Sequence, residues 1–171
     1  MASSGSATSS AIPSNATPSV GQQIEVTINI DVSGVNTPDN ALGSFTGSLD
    51  WNPAVLAYHS NSGILAGFTG VVNTADVASG HIRFNGANPS GATGNVIVFR
   101  ITFDVVGAGS SELDLGYTAM AAAGTFESLL PLLTVNDGQV QVSLPNHTVT
   151  FNANGGSGSM SNQIANVPTA L

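Results

Sequence analysis

An all-β sandwich is the fold class this chain predicts, and three observations carry it. Short runs of alternating apolar and polar residues recur between residues 20 and 144, turn-forming Gly, Pro, Asn and Asp separate them, and no stretch shows a convincing amphipathic-helix period. Roughly eight to nine strands fit into the length, which suits one sandwich or jelly roll with a sizeable core.

Residues 1–19 are mostly Ser, Ala, Thr, Asn, Gly and Pro, too poor in apolar surface to repay the entropy of ordering, and they read as a polar leader or linker. The opening "MASSGSATSS" lacks the basic and apolar regions of a signal peptide, and no apolar run approaches the length of a membrane span.

From Gly21 the texture changes. In "QIEVTINIDV", Ile24, Val26, Ile28, Ile30 and Val32 share one face and Glu25, Thr27, Asn29 and Asp31 the other, the pattern of a half-buried strand. After the loop "SGVNTPDNALG", the stretch "LGSFTGSLDW" points Phe45, Gly47, Leu49 and Trp51 one way and Ser44, Thr46, Ser48 and Asp50 the other. Pro53 has no ladder donor, so this strand ends near Asn52, Trp51 belongs to the core, and "AVLAY" folds over the open end of the sandwich.

Further strands are expected at "GVV" (70–72), "HIRFNG" (81–86) and "VIVFRITFDVV", the last an inner strand with Ile97, Phe99, Ile101, Phe103 and Val105 on one face. "SSELDLGYTAMAAAGTF" supplies Leu113, Leu115 and Tyr117 inward, and "LLPLLTV" reads as an irregular apolar crossing. "DGQVQVSL" then closes the domain with Val140, Val142 and Leu144. The expected organisation is therefore a leader over 1–19, a sandwich over 20–144, and an incomplete β-repeat or exchange-strand tail over 145–171.

Composition excludes several functions. Ten acidic residues stand against Arg83 and Arg100 alone, giving a formal net charge of −8 that repels a nucleic-acid backbone or an anionic membrane. There is no cysteine, hence no disulfide, thiol nucleophile or thiolate metal site. His59, His81 and His147 occur singly, without a serine-triad context or zinc spacing. Asp50, Asp104, Glu112 and Asp114 supply carboxylates for a hydrolase only if the fold gathers them across a cleft, and several alternate with core residues as outward solubilising groups. Asn36, Asp39 and Asn40 offer hard oxygens, but a single carboxylate is thin for calcium and turn chemistry accounts for them. "NANGGSGSM" lacks the lysine of a phosphate loop. No catalytic residue, metal or cofactor is expected.

The order "PSVGQQIEVTINI", "LDWNPAVLAYHS", "GHIRFNGANPSG", "GNVIVFRITFDVVGAGSSELDL" and "NDGQVQVS" resembles the cohesin domain over about residues 17–144, most of all in its aromatic-Asn-Pro-x-x-Leu step. The resemblance implies a nine-stranded jelly-roll sandwich without chemistry of its own, which binds the calcium-loaded dockerin helices of other proteins. The family's partner-binding Asn and Asp on the strand before the proline fall on Ser44 and Thr46, and an acidic partner contact falls near Asn88; this chain carries neither the amide nor the charges there. The tail "HTVTFNANGGSGSMSNQ" is similar to the opening of the Listeria-Bacteroides repeat of bacterial surface proteins, without that repeat's later aromatic half. Together the two resemblances imply an extracellular or cell-surface protein.

Under this reading Ser44, Thr46, Ser48, Arg83, Asn85 and Asn88 share or border one sheet and form the partner-binding surface. The expected partner is a protein, either a dockerin-like domain or a copy of this chain. In the second case "TVTFN" or the N-terminal arm adds as a strand to a neighbour. The alternative is a carbohydrate-binding module with a polysaccharide partner, which requires Trp51 or Tyr58 to be exposed in a row.

Overall fold

The computed structural model describes residues 2–144, 147–150, 152, 154, 156, 158 and 161–165. Ten strands form two five-stranded sheets: β1 (Ala7–Pro13), β2 (Gln23–Asp31), β3 (Ala41–Asp50), β4 (Leu56–Asn61), β5 (Thr69–Asn73), β6 (His81–Thr93), β7 (Asn95–Val105), β8 (Gly109–Ala122), β9 (Leu133–Asn136) and β10 (Gly138–Val142). The back sheet has the order β4-β7-β2-β1-β9 and the front sheet β10-β8-β3-β6-β5. Every pairing within them is antiparallel except β1 with β9. The architecture is the all-β sandwich expected, with ten strands in place of about nine.

The inner faces of both sheets meet in one hydrophobic core, as strand alternation dictates. Ile24, Val26, Ile28 and Ile30 point in from β2, and Phe45 and Leu49 from β3. Between β3 and β6 the aromatic packing is reciprocal: Phe45 stands opposite Gly86, and Gly47 opposite Phe84. Each glycine leaves room for the ring across from it. A Cβ on Gly47 would lie 2.8 Å from the Phe84 ring, and one on Gly86 2.7 Å from the Phe45 ring. The rings continue inward, Phe84 stacking on Phe99 at 5.1 Å and Phe45 packing on Phe68 at 5.2 Å.

Trp51 is buried, 6% exposed, edge-on to Phe103, and its indole N–H donates to the Leu56 carbonyl at 2.9 Å. Pro53 ends the strand as expected. Asn52 then caps the bend, its side-chain oxygen accepting the Ala54 N–H, and Val55 and Leu56 close the end of the core.

Three expectations need correction. The stretch read as a leader contributes β1, which pairs with β2 and β9 and buries Ala7, Ser9 and Ala11; side chains this small fill the narrow space there without giving an apolar pattern in the sequence. Ile97 points outward, 38% exposed, because a bulge at Val98 shifts the alternation so that Val96 and Val98 are buried instead. Leu144 lies beyond the end of β10 and is 40% exposed, having no strand to turn it inward.

The apolar crossing is a 3-10 turn at Leu130–Leu132 leading into β9. A single residue, Asp137, then carries the chain from the back sheet to the front, its carboxylate accepting the Leu115 N–H at 2.9 Å. In the tail β11 (His147–Val149) pairs with β12 (Gln163–Ala165). Phe151, Ala153, Gly155, Ser157, Ser159 and Met160 of the repeat-like motif lie outside the described residues.

Candidate protein-binding face

The outer surface of the front sheet gathers most of the residues singled out in the sequence. Ser44, Thr46 and Ser48 project from β3. Arg83 and Asn85 stand beside them on β6, opposite Ser48 and Thr46 respectively. On the other flank β8 adds Gly116, Ala119 and Ala121 opposite Ser48, Thr46 and Ser44, with exposed Thr118 in a bulge between Tyr117 and Ala119. Alternation with the buried Phe45, Gly47 and Leu49 sends these side chains outward, and their small size makes the centre of the face flat. Arg83 has no ion pair among the described residues, whereas Arg100, on the back sheet, pairs with Glu25 at 3.5 Å.

Asn88 only borders this face. Four residues of β6 bulge opposite Gly43, and the Asn88 side chain folds into that bulge, accepting the Ser90 N–H at 3.0 Å and donating to the Gly91 carbonyl. Asn85 is held at the edge, where its side-chain oxygen accepts the Val71 N–H at 3.3 Å.

The two ends of the face differ in chemistry. At one end Asp50 lies opposite Asp114 on β8 and His81 on β6, and the His81 ring nitrogen Nδ1 is 2.7 Å from the Asp50 carboxylate. Glu112 projects on the same side of β8. At the other end the face runs into an apolar cleft of about 270 Å3 beside Ser44, Ala87 and Phe126. Neither His81 nor Phe126 is among the residues expected from the sequence at this face. His81 shares strand parity with Arg83, a signal present in the sequence, but the sequence carries none for Phe126, whose placement depends on a loop conformation.

The remaining polar candidates lie elsewhere. His59 and Gln23 both approach Asp104 on the outer side of the back sheet, at 3.1 and 2.8 Å. The Gln23 amide, followed by the His59 contact, holds the Asp104 carboxyl below the ordinary carboxylate range. The side chain of His147 is outside the described residues. Asp39 is buried, but its carboxylate oxygens accept hydroxyls from Ser3 and Thr125, so it serves as a loop clamp. No group of three or more metal-ligating side chains occurs among the described residues. No described helix is long and apolar enough to cross a membrane.

The aromatic row that carbohydrate stacking needs is not formed by the residues named for it. Trp51 is buried, and Tyr58 packs against the core with its hydroxyl accepting from Asn61.

No protein-family model matches the chain, and no curated protein is similar to it in sequence. Solved structures are. A non-cellulosomal cohesin from the archaeon Archaeoglobus fulgidus is similar with a TM-score of 0.61 at 19% identity, over 80% of this chain and 91% of that one. The sixth cohesin of scaffoldin B from Acetivibrio cellulolyticus, solved with a dockerin, gives 0.63 at 12% identity, over 81% and 99%. A Clostridium thermocellum cohesin in a type I cohesin–dockerin complex gives 0.60 at 15%, over 79% and 99%. With two facing five-stranded sheets and this similarity spanning about four-fifths of its length, the chain has the cohesin fold.

Proposed function

We infer that this protein is a non-catalytic docking module that works outside the cell and binds a partner domain of the dockerin kind through the outer face of β8-β3-β6-β5. The observation that carries this reading is the face itself: Ser44, Thr46, Ser48, Gly116 and Ala119 present a flat, nearly uncharged surface on a rigid sheet, with Arg83 beside it. Hydroxyls and glycine let another polypeptide approach closely, and they lose little side-chain entropy when covered.

Several neighbours of this fold were solved with dockerins bound, which supports a protein as partner. The hydroxyls at Ser44 and Thr46 replace the family's Asn and Asp, so specificity differs from that of a partner requiring those groups. Self-association through the same face meets a net charge of −8 on each copy.

The test is titration calorimetry of the full chain against a panel of calcium-loaded dockerin domains, with light scattering on the chain alone. Binding at micromolar or tighter Kd, lost on placing a long charged side chain at the centre in Thr46→Arg, is expected. Absence of binding to every dockerin, together with a monomer at all concentrations, would remove the docking reading.

A further inference from the structure

Phe126 is held in an unfavourable place. It is 81% exposed, so its ring is scarcely removed from water, and its backbone has φ of +61°, the left-handed region that an ordinary side chain avoids. A glycine or asparagine would sit there at lower cost. The loop is not loose. The Ala122 N–H donates to the Glu127 carbonyl at 2.9 Å, Leu129 N–H to Met120 at 2.9 Å, and Ala123 N–H to Ala41 at 2.8 Å, while the Thr125 hydroxyl is pinned to buried Asp39. The ring is thus presented by a fixed frame, at the mouth of the cleft formed by Gly43, Ala87, Pro89, Ala122 and Ala123.

Size argues that a partner must reach this cleft. The flat centre spans four strands and about six residues, roughly 14 Å by 20 Å or about 300 Å2, against about 800 Å2 per partner in a stable interface. A bound domain therefore covers the ends of the face as well. Those ends are apolar at Phe126 and acidic at Asp50, Asp114 and Glu112, and six residues of β3 separate Ser44 from Asp50, about 20 Å.

We propose that the Phe126 cleft is the anchoring pocket of the docking face, and that it takes an aliphatic side chain from a partner domain carrying a basic group about 20 Å away for Asp50 and Asp114. This deepens the docking reading and rests on it. A second copy of this chain fits poorly as occupant, because it has no lysine, its Arg100 is paired on the back sheet and its Arg83 lies mid-face. The ring supplies an apolar wall that a bound side chain would desolvate, the usual character of an interface anchor. The acidic end sets orientation and association rate more than affinity.

The experiment is selection of a displayed library of small helical domains against the full immobilised chain. Binding of the selected domains is then measured on wild type, Phe126→Gly, Thr46→Arg and a D50N/D114N double variant. Expected are binders enriched in Leu, Ile or Met with a Lys or Arg about 20 Å distant, weakened about 30-fold by Phe126→Gly. The double variant should weaken them about 3-fold, an effect that fades in high salt. Phe126→Gly relieves the left-handed strain, so its Tm is expected to be no lower than wild type, which separates lost binding from lost folding.

Binders abolished by Thr46→Arg yet indifferent to Phe126→Gly would overturn the pocket and leave the docking face standing. Binders indifferent to both, or no binders at all, would overturn both. Concentration-dependent dimers of the wild type that dissolve in Phe126→Gly would assign the cleft to a second copy and overturn the proposed partner.

Discussion

The Tyr117 hydroxyl lies 2.7 Å from the Ser9 hydroxyl, a contact that ties β8 of the front sheet to β1 of the back sheet through the core. Ser9 donates to the Asn29 carbonyl at 2.6 Å, so Tyr117 is the donor in the pair and the chain of hydrogen bonds runs Tyr117 to Ser9 to Asn29. Ser9→Ala strands a buried phenol without an acceptor and is expected to cost about 1–3 kcal/mol in urea unfolding. Adding Tyr117→Phe removes the orphaned group, and the double variant should recover part of that loss.

The same tyrosine gives the fold an alkaline limit. Burial pushes the Tyr117 phenol well above its ordinary value of 10.0, outweighing the opposing Ser9 hydrogen bond. In the folded state the proton is held; in the unfolded chain it leaves near the ordinary value. The folded state therefore binds more protons above that pH, and stability falls as pH rises through and beyond it. With no lysine in the chain, few other groups titrate there. Thermal unfolding at about pH 9 and pH 11 should show a steeper loss for wild type than for Tyr117→Phe.

The crossed pairs Phe45–Gly86 and Phe84–Gly47 make the glycines as specific as the rings. Gly47→Ala places a methyl 2.8 Å from the Phe84 ring and 2.9 Å from the Gly116 carbonyl, so the ring must shift against Phe99. Overpacking of this kind costs about 1–3 kcal/mol, and chemical denaturation of Gly47→Ala should show it. Gly116→Ala, whose added methyl would meet Ser48 Oγ at 3.6 Å, an ordinary contact, is expected to be close to neutral.

These elements were not equally legible. Strands β2 and β3 declare themselves because Ile, Val, Leu and Phe alternate with polar residues, and the Trp51-Asn52-Pro53 step fixes both a strand end and a core anchor. Strand β1 escapes because Ala7, Ser9 and Ala11 carry little hydrophobic signal, although a parallel partner in β9 and an antiparallel one in β2 order it. Ile97 misleads for a different reason: a bulge changes parity without leaving a mark in composition. The central residues of the candidate face follow from the parity of β3 and β6, so Ser44, Thr46, Ser48, Arg83 and Asn85 were within reach of the sequence. Phe126 was not. An apolar residue after Gly124 reads as core or loop alike, and only the backbone conformation sets its ring in solvent.

Asp39 couples that loop to the start of the chain. Its carboxylate accepts the Thr125 hydroxyl at 2.5 Å on one oxygen and the Ser3 hydroxyl at 2.9 Å on the other, and the group is almost wholly buried. Asp39→Ala removes two charge-assisted hydrogen bonds and leaves both hydroxyls seeking partners, a loss of about 1.5–3 kcal/mol per bond at most. The local effect should exceed the global one. Hydrogen exchange of the Ala122 and Leu129 amides, which hold the base of the Phe126 loop, is expected to accelerate strongly, while the Val26 and Phe103 amides in the middle of the back sheet change only by the global stability difference. If Phe126 is the anchor of the docking face, Asp39→Ala also weakens partner binding without touching a contact residue, because the ring is no longer held in place before the partner arrives. Uniform acceleration across all four amides would instead make Asp39 a general stabilising residue with no particular hold on the loop.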